Sequence, residues 1–371
     1  MKVRIAPGAA ICVLFVPNGW CQRAPVRSPE IAPDRMVTFR VAAPKATEVT
    51  ISGEFLKDSK ALAKDANGIW SVTVGPIEPE IYNYAFMIDG VKTLDPGNPN
   101  VKTGSTPSTI ASILEVRGDQ PAFYDGHPVP HGEIRTAWYQ SKSLGALRRF
   151  TVYTPPDYDH ERGARYPVLY LFHGANADET AWTRLGRLNL ILDNLLAAGK
   201  TKPFLVVMPF GYGIPPGAPR PSTGDPSSND LFSRDLIGDV IPLVDARYRT
   251  TADRAHRAII GLSMGGEQSL TIGLGHLDLF AWVGGFSAAL PVSEFFRLFP
   301  AVAHDAQAAN RKLSLLWIGC GKDDSLITAA QAFDDYLNQH QVRHIFRQSE
   351  GAHTWIVWRR YLNEVAPLLF R

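Results

Sequence analysis

The sequence predicts two domains, an all-β sandwich followed by an α/β domain with a mostly parallel sheet. Its 371 residues are too many for one average domain and about right for two. Short runs of alternating apolar and polar residues fill 30–118, whereas 134–371 carries longer apolar runs separated by helical stretches. Residues 119–133, rich in Pro, Gly and His, lie between them and are expected to be a linker.

Residues 1–24 are expected to be an export signal. Lys2 and Arg4 form a basic start, and the apolar run IAPGAAICVLFVP follows. That run is shorter than the roughly 20 residues that a membrane-spanning helix needs. A buried N-terminal strand is the alternative. Cleavage is expected between Cys21 and Ala24, without a lipid anchor, so the mature protein is expected to be secreted or periplasmic.

Composition and charge exclude several function classes. A formal charge of +2 at pH 7 is too small to favour nucleic acid or an anionic membrane as partner. Cys12 and Cys21 lie in or beside the expected signal, so no disulfide framework is predicted around Cys320. The chain lacks His-Glu-x-x-His and paired Cys-x-x-Cys spacings, and neither a metal nor a cofactor is predicted. The oligomeric state is not readable from these features.

The segment 30–118 predicts a small immunoglobulin-like sandwich. Its candidate strands, separated by Gly, Pro, Asn and Asp turns, are MVTFRVAAP, TEVTISGEF, GIWSVTVGP, IYNYAFMIDG and TIASILEV. Trp70, Tyr82 and Tyr84 share strand faces with apolar residues, so they are expected in the core rather than displayed for stacking on sugar rings. A scaffold that packs on the second domain is therefore expected, with polysaccharide binding as the alternative.

The segment 134–371 alternates strands with helices. Its apolar strands are RRFTVYTPP, YPVLYLFHG, FLVVMPF, HRAIIGLS and LSLLWIGCG. Helices are expected at about 180–199, 231–247, 265–275, 325–341 and 355–370. This alternation predicts a parallel sheet with reactive groups beyond the carboxyl ends of its strands. Residues 211–229, rich in Pro, Gly and Ser, leave from that edge and either line a substrate pocket or form a surface insertion.

Ser263 lies in the sequence GLSMG, where a predicted strand gives way to a predicted helix. Short glycine patterns arise by chance, and Gly261 and Gly265 could serve only close packing of strand on helix. The strand–turn–helix context is nevertheless what a nucleophile elbow requires. Small neighbours relieve crowding around a residue held in an unfavourable backbone conformation. Ser263 is therefore the candidate nucleophile.

A serine nucleophile needs a histidine base and a carboxylate that orients the histidine. His353 lies between the last predicted strand and the last helix, and a surface-loop histidine is its alternative reading. The strand LSLLWIGCG is followed by Asp323 and Asp324. One of these is expected to face His353 and the other to cap the next helix.

Backbone N–H groups must also stabilise the oxyanion that forms during acyl transfer. The N–H of Met264, directly after Ser263, is one candidate donor. A second is expected from the turn at His173, Gly174 and Ala175, which makes His173 structural rather than catalytic.

The second domain resembles the esterase D–like family of α/β-hydrolases. The resemblance covers about 134–371 and rests on PVLYLFHGANADETAW, FSRDLIGDVIPLVDARYRT, HRAIIGLSMGG, IGCGKDDSL and GAHTWIVWRRYLNEVAPLLF. It implies that Asp324 is the catalytic acid and that Ala175 gives the second oxyanion N–H. The first domain, with IYNYAFMIDGVKTLDPGNPNVK, resembles early-set immunoglobulin-like modules grouped with glycogen-binding domains.

The resemblance implies a secreted serine carboxylesterase that needs no cofactor. Its expected substrate is a feruloyl ester on plant cell-wall polysaccharide such as arabinoxylan. The alternatives are an acetyl xylan esterase, an enterochelin-type esterase or an acyltransferase of the same fold. A non-catalytic carbohydrate-binding protein is the alternative from another class, and the presence of Ser263, Asp324 and His353 argues against it.

Overall fold

The computed structural model describes residues 26–103, 109–214, 219, 226–288 and 290–371. The expected export signal, 1–24, lies outside the described residues. So do 215–218 and 220–225, which make up most of the predicted loop at 211–229.

The N-terminal region forms two antiparallel sheets. Its strands are β1 (Glu30–Ile31), β2 (Val37–Ala42), β3 (Val49–Gly53), β4 (Lys60–Ala61), β5 (Ala63–Lys64), β6 (Ile69–Val74), β7 (Glu80–Ile88), β8 (Val91–Thr93), β9 (Val101–Lys102) and β10 (Ala111–Val116). One sheet has the order β1-β2-β6-β5. The other has the order β4-β3-β7-β10-β9, and β8 pairs with β7.

The inward faces of these two sheets share one hydrophobic core. Alternation along β2 buries Val37, Phe39 and Val41, which pack in the same cluster as residues of β3, β6, β7 and β10. The five predicted strands and the core placement of Trp70 and Tyr84 are confirmed. The strands that were not predicted have only two or three residues, too few to show a period.

The C-terminal region has one eight-stranded sheet in the order β11-β12-β14-β13-β15-β16-β17-β18. Its strands are β11 (Glu133–Ser141), β12 (Ala146–Thr154), β13 (Val168–Phe172), β14 (Leu205–Pro209), β15 (Arg257–Leu262), β16 (Trp282–Phe286), β17 (Leu315–Gly321) and β18 (Ile345–Ser349). The β11–β12 and β12–β14 pairs are antiparallel and the others are parallel. The predicted α/β-hydrolase class, preceded by an all-β domain, is confirmed.

Helices pack on both faces of this sheet. They are α1 (Ala181–Arg184), α2 (Leu188–Ala197), α3 (Pro226–Asp235), α4 (Ile241–Arg247), α5 (Met264–Gly275), α6 (Phe295–Leu298), α7 (Pro300–His304), α8 (Ala306–Lys312), α9 (Ile327–Gln339) and α10 (Trp355–Val365). A π-helical turn, Leu236–Val240, joins α3 to α4. Short 3-10 turns lie at Arg254–His256, Val292–Glu294 and Ala366–Leu368. In the described residues, none of the helices combines the length and hydropathy needed to cross a membrane.

One predicted helix was wrong, and two strands of this sheet, β11 and β16, were not predicted. The helix predicted at 180–199 is two helices, because the chain turns at Arg187, whose φ is 53°. The strand β16 was not predicted, since Gly284 and Gly285 have low strand propensity. These glycines are explained by packing: a Cβ on Gly285 would lie 2.9 Å from the side chain of Leu270 in α5.

The two regions are packed together through a shared hydrophobic cluster. Ile81 of β7 belongs to the same cluster as the buried residues of α2 and α10. Tyr124 lies in the expected linker and is buried in that cluster as well. Asn194 of α2 donates hydrogen bonds of 2.9 Å to the carbonyl oxygens of Phe123 and Asp125. The linker segment is thus fastened along the second domain.

Candidate active site

Ser263 occupies a strained turn between β15 and α5. Its φ of 52° and ψ of −123° place a non-glycine residue in a conformation that L-residues rarely adopt. The backbone N–H of Ser263 donates to the carbonyl oxygen of Phe286 at 2.8 Å, which holds the turn against the end of β16. The turn lifts the Ser263 side chain out of the sheet edge, as a nucleophile elbow requires.

The glycines around Ser263 permit three backbone segments to meet. A Cβ on Gly261 would overlap the carbonyl oxygen of Gly265, and a Cβ on Gly265 would overlap the carbonyl oxygen of His173. A Cβ on Gly266 would lie 2.6 Å from Cβ of Ala288. Both readings of the glycines therefore apply: they allow close packing, and that packing supports the strained serine.

The structure brings His353 against Ser263. His353 follows β18, and its Nε2 lies 3.0 Å from Oγ of Ser263. Its Nδ1 lies 2.9 Å from Oδ2 of Asp324 and 3.1 Å from Oδ1. Because the carboxylate accepts the Nδ1 proton, Nε2 is left with a lone pair that faces the serine hydroxyl. The side chain of His353 is one-third exposed, so a substrate can approach the imidazole and the serine hydroxyl beside it.

Asp324 is the aspartate that turns inward, and its side chain is fully buried. Burial raises the pKa of Asp324, but hydrogen bonds from His353, Ser287 and the backbone N–H of Leu326 outweigh it and hold the pKa below its ordinary value. Asp323 is exposed. The expectation that it caps the next helix was wrong, because α9 has Leu326 at its N-cap position and no side-chain cap.

The turn predicted to complete the oxyanion hole lies beside Ser263. A Cβ on Gly174 would lie 3.2 Å from Cβ of Ser263, and Ala175 follows directly. Met264 begins α5, where the first N–H groups of a helix have no partner within the helix and the helix dipole favours negative charge. The arrangement places the turn that precedes Ala175, and the helix start at Met264, next to the candidate nucleophile.

His173 has a structural role in these contacts. Its Nδ1 lies 2.8 Å from the carbonyl oxygen of Gly174, and its Nε2 accepts the N–H of Gly211 at 2.9 Å. Both ring nitrogens are therefore engaged. They connect the candidate oxyanion turn to the beginning of the segment at 211–229.

The beginning of that segment is anchored by Arg148 of β12. The guanidinium donates to the carbonyl oxygens of Phe210, Tyr212 and Ile214 at 2.6, 2.8 and 2.8 Å. Its charge is paired with buried Asp235, at 3.3 Å between Nε and Oδ2. The buried guanidinium of Arg148 therefore holds the path of residues 210–214 where the chain leaves β14.

Two residues near the site were not singled out from the sequence. Ser287 directly follows β16 and lies beside Asp324, where its hydroxyl helps to lower the pKa of the carboxyl group. Trp358 lies on α10, and its ring is perpendicular to the ring of His353, with 5.0 Å between centroids. A position at the end of a parallel strand could have pointed to Ser287, but β16 itself was not predicted.

In the part of the chain that the structure describes, no group of three His, Cys, Asp or Glu side chains is placed to hold an ion. The site can perform acyl transfer through a hydroxyl, an imidazole, a carboxylate and backbone N–H groups alone.

Comparisons with known proteins point to one family. The model of the family "Esterase: Putative esterase" matches residues 141–369. The chain is 33% identical over 364 residues to an endo-1,4-beta-xylanase/feruloyl esterase of Xylanibacter ruminicola, which covers 96% of this chain and 48% of that protein. It is 31% identical over 182 residues to an esterase of Mycobacterium tuberculosis, covering 48% of this chain and 37% of that protein. The chain thus spans about half the length, or less, of these curated relatives.

Solved structures agree with the sequence comparison. A ferulic acid esterase superposes with a TM-score of 0.56 at 26% identity, covering 64% of this chain and 97% of that one. An enterobactin esterase from Shigella flexneri superposes with a TM-score of 0.64 over 90% of this chain and 92% of that one. At 18% identity, the second match shows the fold alone, and it extends over both regions.

Proposed function

The chain belongs to the Esterase family, whose model matches residues 141–369, and we propose that it is a secreted serine carboxylesterase that releases ferulic acid from plant cell-wall polysaccharide such as arabinoxylan. The observation that carries the esterase assignment is the hydrogen-bonded line from Ser263 through His353 to Asp324.

In the proposed reaction, Oγ of Ser263 attacks the ester carbonyl carbon while Nε2 of His353 takes the hydroxyl proton. The 3.0 Å separation is within hydrogen-bond reach for that transfer. The N–H groups of Met264 and Ala175 hold the oxyanion of the tetrahedral intermediate, and each such donor is worth about 3 kcal/mol in transition-state stabilisation.

His353 then returns the proton to the leaving sugar oxygen, and the alcohol departs. Water, activated by the same imidazole, attacks the acyl group on Ser263 and releases the acid. Asp324 keeps the Nδ1 proton of His353 in place throughout and stabilises the imidazolium that forms twice in the cycle.

The feruloyl ester and the polysaccharide are inferred from relatives. The Xylanibacter protein, named a xylanase and feruloyl esterase, aligns with 96% of this chain, so the alignment includes both regions. The ferulic acid esterase structure matches at 26% identity. Export is part of the proposal and is supported by the basic and apolar pattern of 1–24, since cell-wall polysaccharide lies outside the cell.

The proposal is tested with methyl ferulate, 4-nitrophenyl acetate and feruloylated arabinoxylan, using the wild type and Ser263→Ala. Ser325→Ala is the matched control, because this serine is exposed and adjacent to Asp324. Turnover of ferulate that is lost in Ser263→Ala and retained in Ser325→Ala supports the proposal.

Other results would replace it. Turnover of acetate without ferulate would identify an acetyl esterase. Acyl transfer to an added alcohol in preference to hydrolysis would identify an acyltransferase. Activity that survives in Ser263→Ala would mean that another group is the nucleophile.

A further inference from the structure

Ser287 is a buried residue in an unusual backbone conformation beside the candidate site. Its φ is 48°, in the left-handed region that costs a non-glycine residue free energy. Its N–H donates to the carbonyl oxygen of Gly319 at 2.6 Å, which holds this turn against β17. Its side chain is fully buried. Nothing in the acyl-transfer steps above uses this residue.

Trp358 connects Ser287 to the histidine. Its indole Nε1 donates to Oγ of Ser287 at 2.9 Å. Its ring also packs edge-to-face against the ring of His353. Trp358 therefore contacts the imidazole of His353 directly and is linked to the surroundings of Asp324 through the hydroxyl of Ser287.

The hydrogen-bonding capacities of these side chains determine which group donates and which accepts at each contact. An indole nitrogen only donates, so the oxygen of Ser287 must accept from Trp358. The hydroxyl proton of Ser287 is then free to point at another acceptor. The acceptor beside it is the carboxylate of Asp324, which in its ionised form only accepts.

We propose that Ser287 and Trp358 are positioning residues for the esterase reaction: Trp358 orients the Ser287 hydroxyl toward Asp324 and restricts the ring of His353. This inference rests on the proposed function. It assigns Ser287 the task of holding one side of the carboxylate while His353 and the N–H of Leu326 hold the rest. A carboxylate held by several donors stays in the plane of the imidazole.

The titratable groups that face Asp324 are few in the described structure. His353 approaches from the segment before α10, and the thiol of Cys320 approaches from β17. Burial raises the pKa of the Cys320 thiol to about 12, so it is neutral in the working range. Removing the Ser287 donor should therefore act on the Asp324–His353 pair and make the carboxylate more basic.

Ser287→Ala tests the hydroxyl without changing the backbone strain, because alanine and serine share the same φ preference. Hydrogen bonds to charged groups predict a fall in kcat of about tenfold to a hundredfold. We expect KM for 4-nitrophenyl acetate to change less than about twofold, because neither residue is placed to touch substrate. The acidic limb of kcat/KM should move to higher pH, since a more basic carboxylate favours the imidazolium form of His353, which cannot accept the serine proton.

Trp358→Phe removes the indole N–H and keeps an aromatic ring beside His353. We expect a smaller fall in kcat and a shift of the acidic limb in the same direction. Because both residues act through one carboxylate, the double variant should lose little more than Ser287→Ala alone.

Two controls separate positioning from general damage. Ser287→Gly removes the hydroxyl and relieves the strain, so it should match Ser287→Ala in kcat if the hydroxyl is responsible. Trp282→Phe removes another buried indole hydrogen bond, 2.7 Å to the carbonyl oxygen of Ala255, at the opposite end of β16. It should lower the melting temperature and leave the pH profile unchanged.

The proposal is overturned if Ser287→Ala and Trp358→Phe lower only thermal stability and keep the wild-type kcat and pH profile. Recovery of kcat in Ser287→Gly would also overturn it, because the reaction would then proceed at the wild-type rate without the hydroxyl. Failure of the proposed function has another signature. A wild type that turns over acetate but not ferulate loses the feruloyl assignment, and the comparison of variants is still read on acetate.

Discussion

Arg359 of α10 and Glu80 of β7 form a buried ion pair, with 2.7 Å between Nη2 and Oε1. Arg359 also donates to the carbonyl oxygens of Leu185 at 2.9 Å and Ile81 at 3.1 Å. This pair joins the N-terminal sandwich to the helix that follows His353. The first domain is therefore fastened to an element that also positions the candidate base.

Arg359→Ala should destabilise the protein strongly. The variant removes the buried cation from the buried carboxylate of Glu80, and breaking such a pair costs about 3–5 kcal/mol in the free energy of unfolding. Arg360→Ala is the matched control, because Arg360 contacts the same Glu80 at 3.5 Å and is about half exposed. Its removal should cost at most about 1 kcal/mol. Urea unfolding measures both, and equal losses would contradict a buried role for Arg359.

Asp324→Asn should nearly abolish turnover while leaving the fold intact. An amide cannot hold the Nδ1 proton of His353 as a carboxylate does, and the wrong tautomer is then favoured. In a serine protease with the same arrangement of serine, histidine and aspartate, the corresponding change lowers kcat by about 10⁴-fold. Asp323→Asn should keep kcat within about twofold, since this neighbour is exposed. Comparable losses in the two variants would contradict the assignment.

Asp324 should also make stability depend on pH in the acidic range. Its carboxyl has a lowered pKa in the folded protein, so the unfolded chain takes up the proton first as pH falls. The contribution is fully present above the ordinary pKa of about 3.9 and is lost as pH falls through the lower folded value. The difference in unfolding free energy between the wild type and Asp324→Asn, measured from pH 7 downward, should therefore shrink. A constant difference would contradict this linkage.

Gly265→Ala should reduce both stability and activity. The added Cβ would overlap the carbonyl oxygen of His173, so the turn that carries Ala175 must move. Overpacking of this kind costs about 1–3 kcal/mol. Gly275→Ala is the control on the same helix, because a Cβ there meets nothing within 4 Å. Thermal melts and kcat for 4-nitrophenyl acetate distinguish the two, and a fully active Gly265→Ala would show that the turn has room to adjust.

Cys320 should be unreactive in the folded protein. Its side chain is buried, and burial raises the pKa of the thiol to about 12, so the reactive thiolate is scarce at pH 8. The wild type and Cys320→Ala should react equally with a thiol reagent under native conditions. They should differ by one thiol per chain in denaturant. A native difference would mean that the core around β17 opens readily.

Much of the site follows from local sequence signals. Alternating and continuous apolar runs predicted the two domains, because burial on one or both faces of a strand sets the period of apolar residues. The residues after β15, β17 and β18 were expected near one another, since parallel strands end at one edge of a sheet. The structure brings together Ser263, Asp324 and His353, as that reasoning expected.

The rest depends on contacts between distant segments. Ser287 was missed because its strand, β16, contains glycines. These glycines have low strand propensity and are explained by close packing against α5. In the sequence, Trp358 is one of several apolar residues of an amphipathic helix. Its contact with His353 depends on the position of α10 in the folded structure. Arg359 and Glu80 are 279 positions apart, and no periodic pattern encodes such a pairing.

The sequence alone therefore determined the domain types, the strand and helix periods and the chain order of the three site residues, because each reflects local burial and turn chemistry. Only the tertiary structure decided which side chains hold Asp324 and which buried charge joins the domains. Those relationships require sheet order and helix packing to bring distant residues within about 3 Å, the range in which hydrogen bonds act.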